Sequence, residues 1–154
     1  MQLSAILDPS AIRVVSSMTS KKRLFQELAE IGHSVHGLHA HRAVEALMER
    51  EGLGPTAVGH GIALPHARLD EVDSVRGIFM RIEKPMEFDS ADRQPVDLIF
   101  ALFAPTDAGV EHLKALALVS RTLRDAALCA KLRANEDPAV LHALLTEAPT
   151  KKAA

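Results

Sequence analysis

The chain has 154 residues, 47% hydrophobic and 25% charged, enough for one ordinary globular domain with a real core. Five Phe without Trp or Tyr, and a formal net charge of -2 from 18 basic and 20 acidic side chains in no long block, disfavour base stacking and phosphate-driven DNA binding. The single cysteine excludes an intramolecular disulfide, and the amino terminus lacks the charged-then-apolar layout of a signal peptide, so the chain reads as cytoplasmic.

Ile12 to Val15 is a short apolar run that predicts a strand. Met18-Thr19-Ser20 then offers a helix N-cap. Leu24, Phe25, Leu28, Ile31, Val35 and Leu38 follow at helical spacing, with Gly37 as the expected stop. A second helix is predicted from His41 to Glu51, with Ala43, Val44, Leu47 and Met48 on its apolar face. Gly52 to Thr56 is turn-rich, and Ala57 to His66 alternates apolar pieces with glycine, which predicts an extended segment or tight hairpin. Ile78, Met80 and Ile82 alternate with Phe79 and Arg81 at strand spacing. The connection from Ile82 to Leu98, with Pro85, Asp89, Asp92 and Arg93, reads as a surface loop or poorly paired strand. Leu98 to Ala104, flanked by Pro95 and Pro105, predicts a strand buried on both faces; it is far short of the ~20 residues of a membrane helix.

A long helix is expected from Gly109 to Asp125, with Leu113, Leu116, Ala117, Ser120 and Leu123 inward. A shorter one spans Ala126 to Arg133 and carries Cys129 as a small buried residue. Asp137-Pro138 starts a last helix through Leu145. Strands interleaved with helices predict an α/β fold: a single domain over residues 1–148, with a mixed sheet flanked by helices, then a flexible tail over 149–154.

Two of the eight histidines stand where chemistry is expected. Pro65 biases Leu64 toward extended backbone, so His66 ends an extended segment facing a loop. His112 lies in the first turn of the helix after the buried strand, where α/β sheets gather their ligands and where unpaired N–H groups favour an anion. A neutral imidazole is a competent nucleophile near pH 7. Attack on a phosphoryl donor asks for that nucleophile, alignment, and positive charge on the transferring oxygens. A second imidazole and the guanidinium of Arg50 supply the charge, and Gly59 and Gly61 let backbone approach closely. On spacing alone, His66 and His112 as ordinary polar residues at element ends remain an open alternative. A zinc site has two candidate donor sets: His33, His36, His39 and His41, or His60, His66 and His112. The first crosses a helix end at Gly37 and reads better as solvated; the second has only Asp107 or Glu111 as a nearby base.

The stretch from Glu49 to His66, with Arg50, Thr56 and the Gly59-His60-Gly61-Ile62-Ala63-Leu64-Pro65-His66 segment, resembles the signature of phosphotransferase-system enzyme IIA domains of the fructose, mannitol and nitrogen-regulatory type. So do Gln94 to Leu102 and His112-Leu113 with the Leu-rich helix after them, and the resemblance covers nearly the whole chain. It implies that His66 accepts a phosphoryl group, that His112 helps hold it, that Arg50 assists electrostatically, and that Thr56 donates a hydrogen bond. It further implies a phosphorylated HPr-type carrier protein as donor and no cofactor or metal. Output is through regulatory protein targets, with potassium-transport and sensor-kinase proteins among the candidates, and no nucleic acid or membrane insertion is involved. The passage from Phe103 to Asp107 looks most like the nitrogen-regulatory branch. A stand-alone fructose-type IIA component feeding a IIB domain is the alternative, and a phosphorylation-independent interaction module a further one. Three positions depart from the family pattern: Ala67 replaces a common Gly, Pro55 a common Ser, and His60 is an extra imidazole whose titration couples to His66 if the two are close. Leu69, Asp70, Glu71 and Asp73 are the expected rim for carrier docking.

Overall fold

The most apolar stretch of the chain becomes the middle of a six-stranded mixed sheet. The computed structural model describes residues 1–147; the expected tail lies outside them. Strand β6 (Val96–Ala104) has no exposed residue from Leu98 to Ala104, as a strand covered on both faces must. Along one side it pairs antiparallel with β5 (Arg76–Met86), which pairs parallel with β1 (Leu7–Val15). Along the other side run two short parallel strands in succession, β3 (Ile62–Ala63) against Leu98 and Ile99, and β4 (His66–Arg68) against Leu102 to Ala104. Strand β2 (Ala57–Gly59) folds back on β3 and closes the edge.

Side chains alternate across β5, and different elements cover its two faces. Ile78 lies beside Gly32 of α2 (Lys21–His36), while Gly77 approaches Phe100 and Ile6, the latter from α1 (Leu3–Ile6). Phe79 and Phe100 are register partners with ring centroids 6.2 Å apart. The remaining helices are α3 (Ala40–Gly52), which packs on α2 and β4; α4 (Val110–Leu123), on β6; α5 (Ala126–Arg133), on β5 and α4; and α6 (Pro138–Thr146), on β1. Buried Leu, Ile, Val, Ala and Phe form one continuous core.

The caps follow the sequence. Ser20 accepts from the Arg23 N–H at the start of α2, Gly37 takes φ 73° at its end, and Asp125 and Asp137 cap α5 and α6. Two expectations are corrected and one is resolved. Leu38 lies beyond the end of α2 but is buried, folding back over Gly32. The segment after Ile82, read as a surface loop or poorly paired strand, is both: β5 continues to Met86, opposite Val96, with its register broken between Arg81 and Met86, and the loop follows. The pairing of β5 with β1 ends at Ile82, apart from a bond from the Lys84 N–H to Ser16, so Pro85 removes no needed donor. Finally, α4 is rotated from the expected face: His112, Ala115, Leu118, Val119 and Leu123 are buried, whereas Leu113 and Ala117 are exposed. Among the described residues, no helix is long and apolar enough to cross a membrane.

Candidate functional site

The interrupted edge of β6 places His66. Leu64 and Pro65 separate β3 from β4, and the Pro65 carbonyl accepts from the Leu102 N–H at 2.9 Å. The next residue, His66, opens β4 in register with Leu102. Alternation puts His66 and Arg68 on one face of the strand and buries Ala67 on the other. Ahead of this edge, His60 and Gly61 turn β2 into β3 with φ values of 58° and 81°, the signs a two-residue hairpin of the primed type needs. Two bonds hold His60 in that uncommon conformation: its N–H donates to Asp92, and its carbonyl accepts from Arg133.

Around His66 the chain brings three distant elements together. Arg50, in the last turn of α3, donates from Nε to Nε2 of His66 at 3.3 Å, and from Nη1 to the Gly54 carbonyl at 2.9 Å. Nδ1 of His66 donates to the Leu64 carbonyl at 2.9 Å. These two bonds specify one tautomer, with the proton on Nδ1 and the lone pair on Nε2. The His112 ring, from the first turn of α4, stands with its centroid 5.4 Å from that of His66. His112 is buried, and its Nδ1 is the one buried side-chain polar atom without a hydrogen-bond partner among the described residues. Leaving such an atom unpaired costs about 1–3 kcal/mol.

The electrostatics keep both rings neutral near pH 7. Burial pushes the His66 pKa down, Arg50 and Arg68 add to that, and the Leu64 carbonyl and Glu51 oppose it. His112 is pushed down to about 4, by burial first and then by Arg68 and His66. This revises the charge assignment made from sequence. Arg50 and Arg68 carry the fixed positive charge, and His112 is a neutral imidazole. Arg68 also donates from Nη1 to the Thr106 carbonyl at 3.3 Å, in the loop that leads to α4.

Thr56 is brought into the same cleft but its hydroxyl is engaged. It is buried and donates to Oε1 of Glu51 at 2.6 Å, so a bond to any other acceptor requires giving up Glu51. Glu51 and Arg68 were missed from sequence. The signal for Arg68 was there, since it is two residues from His66 on a strand and so shares its face. Glu51 reads as one more charged residue of a helix end, and only the fold reveals that it is buried.

The other histidines are accounted for separately. His33 meets the Leu38 carbonyl, His36 the Gly77 carbonyl, His39 caps α3, and His41 pairs with Glu45. No group of three or more His, Cys, Asp or Glu among the described residues is placed to hold a metal ion, and neither zinc grouping is formed there. His60 is not among the groups acting on His66. Of the expected rim, Asp70, Glu71 and Asp73 are exposed, but Leu69 is buried in the core.

Comparison with known proteins agrees with this fold. The family profile described as phosphoenolpyruvate-dependent sugar phosphotransferase system, EIIA 2, matches residues 5–148. A nitrogen regulatory protein of Bradyrhizobium diazoefficiens is 41% identical over 153 residues, covering 99% of this chain and all of that one. Its counterpart in Escherichia coli is 38% identical over 149 residues, covering 96% of this chain and 91% of that one. The crystal structure of nitrogen regulatory protein IIA-Ntr from Neisseria meningitidis superposes with a TM-score of 0.87 at 34% identity, over 94% of this chain and 99% of that one.

Proposed function

Because the chain belongs to the phosphotransferase-system EIIA 2 family, whose members are phosphoryl-transfer components, we propose that it is a phosphocarrier of the nitrogen-regulatory kind, loaded on Nε2 of His66 by a phosphorylated HPr-type carrier protein. The observation that carries this reading is the tautomer of His66. With the proton on Nδ1 held by Leu64, the Nε2 lone pair is free to attack once Arg50 yields its contact to a phosphoryl oxygen. In the transfer, Nε2 of His66 forms a bond to phosphorus. The phosphorus–nitrogen bond of the carrier breaks, and its electron pair returns to the carrier's imidazole.

The surroundings suit that step. Arg50, from the end of α3, and Arg68, from the acceptor's own strand, offer positive charge to the transferring oxygens. His112 is neutral in the free protein. A phosphoryl group on the adjacent ring adds negative charge that favours its protonation, so it becomes a stronger donor only when there is something to hold. Val58 lines the His66 cleft and is 52% exposed; Leu113, one residue past His112, is 64% exposed. Apolar surface of that kind, beside an exchange site, suits a transient protein partner.

The nitrogen-regulatory assignment over the fructose-type alternative rests on the names carried by relatives that match nearly end to end. Regulation of target proteins by phosphorylation state is the output this reading implies. The test is incubation with the phosphorylated carrier. The wild type takes up an acid-labile, base-stable phosphoryl group, His66→Ala takes up none, and His112→Ala and Arg50→Ala load slowly while folded. Absence of label in the wild type overturns the phosphocarrier reading, and label on His66→Ala overturns the site.

A further inference from the structure

One buried carboxylate ties the acceptor loop to the rest of the molecule. The Glu51 side chain is 7% exposed and follows Arg50 directly in α3. Its Oε1 accepts from the Thr56 hydroxyl at 2.6 Å, and its Oε2 from the Thr56 backbone N–H at 3.1 Å. Oε2 also meets Nζ of Lys21, the first residue of α2, at 3.0 Å. Lys21 is fixed in turn: its Nζ lies 4.7 Å from the centre of the Phe88 ring and 3.7 Å from a carboxylate oxygen of Asp89.

A carboxylate this deep is tolerated only when its charge and lone pairs are answered. Here a backbone N–H, a hydroxyl and an ammonium answer them. None of the three comes from Arg50, although Arg50 is the adjacent residue and the cation of the site. Its guanidinium goes instead to His66 and to the Gly54 carbonyl. We propose that Lys21 and Glu51 are a positioning pair for phosphoryl transfer: Glu51 fixes the loop through both polar groups of Thr56, and Lys21 neutralises Glu51 so that Arg50 stays on His66. Without Lys21, the carboxylate at position 51 competes for the neighbouring guanidinium and draws it off the acceptor. The pair touches no reacting atom and acts through Arg50 and Thr56. It deepens the phosphocarrier reading and rests on His66 being the acceptor.

The test separates the two claims, because its first arm needs no phosphoryl donor. Three charged groups act on His66, namely Arg50, Glu51 and Arg68, and the neutral His112 ring stands beside it. The His66 ring is titrated by NMR in the wild type, Glu51→Gln, Lys21→Met and Lys21→Arg. Glu51→Gln removes a negative charge and lowers the His66 pKa; Lys21→Met exposes that charge and raises it; Lys21→Arg leaves the titration near the wild type. Two bare charges also shift the titration in opposite directions, so the Arg50 Nε–H resonance decides: loss of its contact to His66 in Lys21→Met and retention in Lys21→Arg support the proposal, and a contact kept in Lys21→Met overturns it. If Glu51→Gln does not fold, the Arg50 contact in Lys21→Met decides alone. In the second arm, transfer from the phosphorylated carrier loses about tenfold in kcat for both disruptive variants with KM nearly constant, as positioning demands. A rise in KM at unchanged kcat contradicts it. A wild type that accepts no phosphoryl group refutes the phosphocarrier reading, while the titration still reads the pair.

Discussion

At the scale of single residues, three side chains, His66, His112 and Arg50, have environments that differ from their sequence neighbourhoods. His66 has one ring nitrogen tethered and one offered, and burial keeps it unprotonated at neutral pH. Transfer activity is therefore expected to stay flat as pH falls through the ordinary histidine value of about 6.5, and to drop only below it. A pH–rate profile for loading checks this, and a profile that falls already at pH 7 contradicts it. His112 gives a stability prediction. Its folded pKa is about 4 against about 6.5 unfolded, so the unfolded chain takes the proton first as pH falls. Stability present above about 6.5 is lost between there and about 4, with a contribution on the order of 2–3 kcal/mol from this group. The downward shifts at His66 and His36 act in the same direction. Urea denaturation across that range reads the effect, and His112→Asn is expected to flatten the curve; an unchanged slope refutes the assignment. Arg50→Lys keeps a charge but loses the Nε contact to His66, so it is expected to load roughly tenfold more slowly than wild type and faster than Arg50→Ala.

At the scale of elements, the sequence showed where things begin and end better than which way they face. The N-cap at Ser20, the stop at Gly37, the buried strand at Leu98 to Ala104 and the Asp137-Pro138 start were all readable from local chemistry. Helix α4 was not. Val110, Leu113, Ala115, Leu116, Leu118 and Val119 surround it with apolar residues, so periodicity favours no face strongly. The expected inward set of Leu113, Leu116, Ala117, Ser120 and Leu123 leaves His112 off that face, whereas the site draws it in and leaves Leu113 in solvent. The hairpin before His66 gives this scale its own prediction. A methyl group on Gly61 lies 2.6 Å from Nη2 of Arg133 and 2.9 Å from Oδ1 of Asp97, which are themselves paired at 2.9 Å. The site also requires φ 81°. Gly61→Ala is expected to lower stability by about 1–3 kcal/mol in urea denaturation. A loss below measurement error refutes the claim that this turn is tightly built.

At the scale of the whole molecule, the fold brings together what the sequence keeps apart. Arg50 arrives on α3, His66 on a two-part edge strand, and His112 on the helix after β6. Residue logic made His66 and His112 a plausible pair with Arg50 as a candidate cation, and the resemblance gave each of them its implied role. The sheet order explains why they meet, since β4 and α4 both adjoin the same end of β6. What the sequence concealed were Glu51 and Lys21, whose importance depends on a burial that no local pattern encodes. The molecular surface mixes exposed Asp70, Glu71 and Asp73 with exposed Leu113 and Val58. Loading by the carrier is therefore expected to slow with added salt through KM, with kcat little changed. A rate independent of ionic strength contradicts charge steering.

Phosphoryl placement on His66 is read by NMR of the loaded protein, with the histidine ring nitrogens and the phosphorus observed together. Phosphorus coupled to Nε2 of His66, with Nδ1 still protonated toward Leu64, is the predicted result. Phosphorus on Nδ1, or on any other histidine, contradicts it.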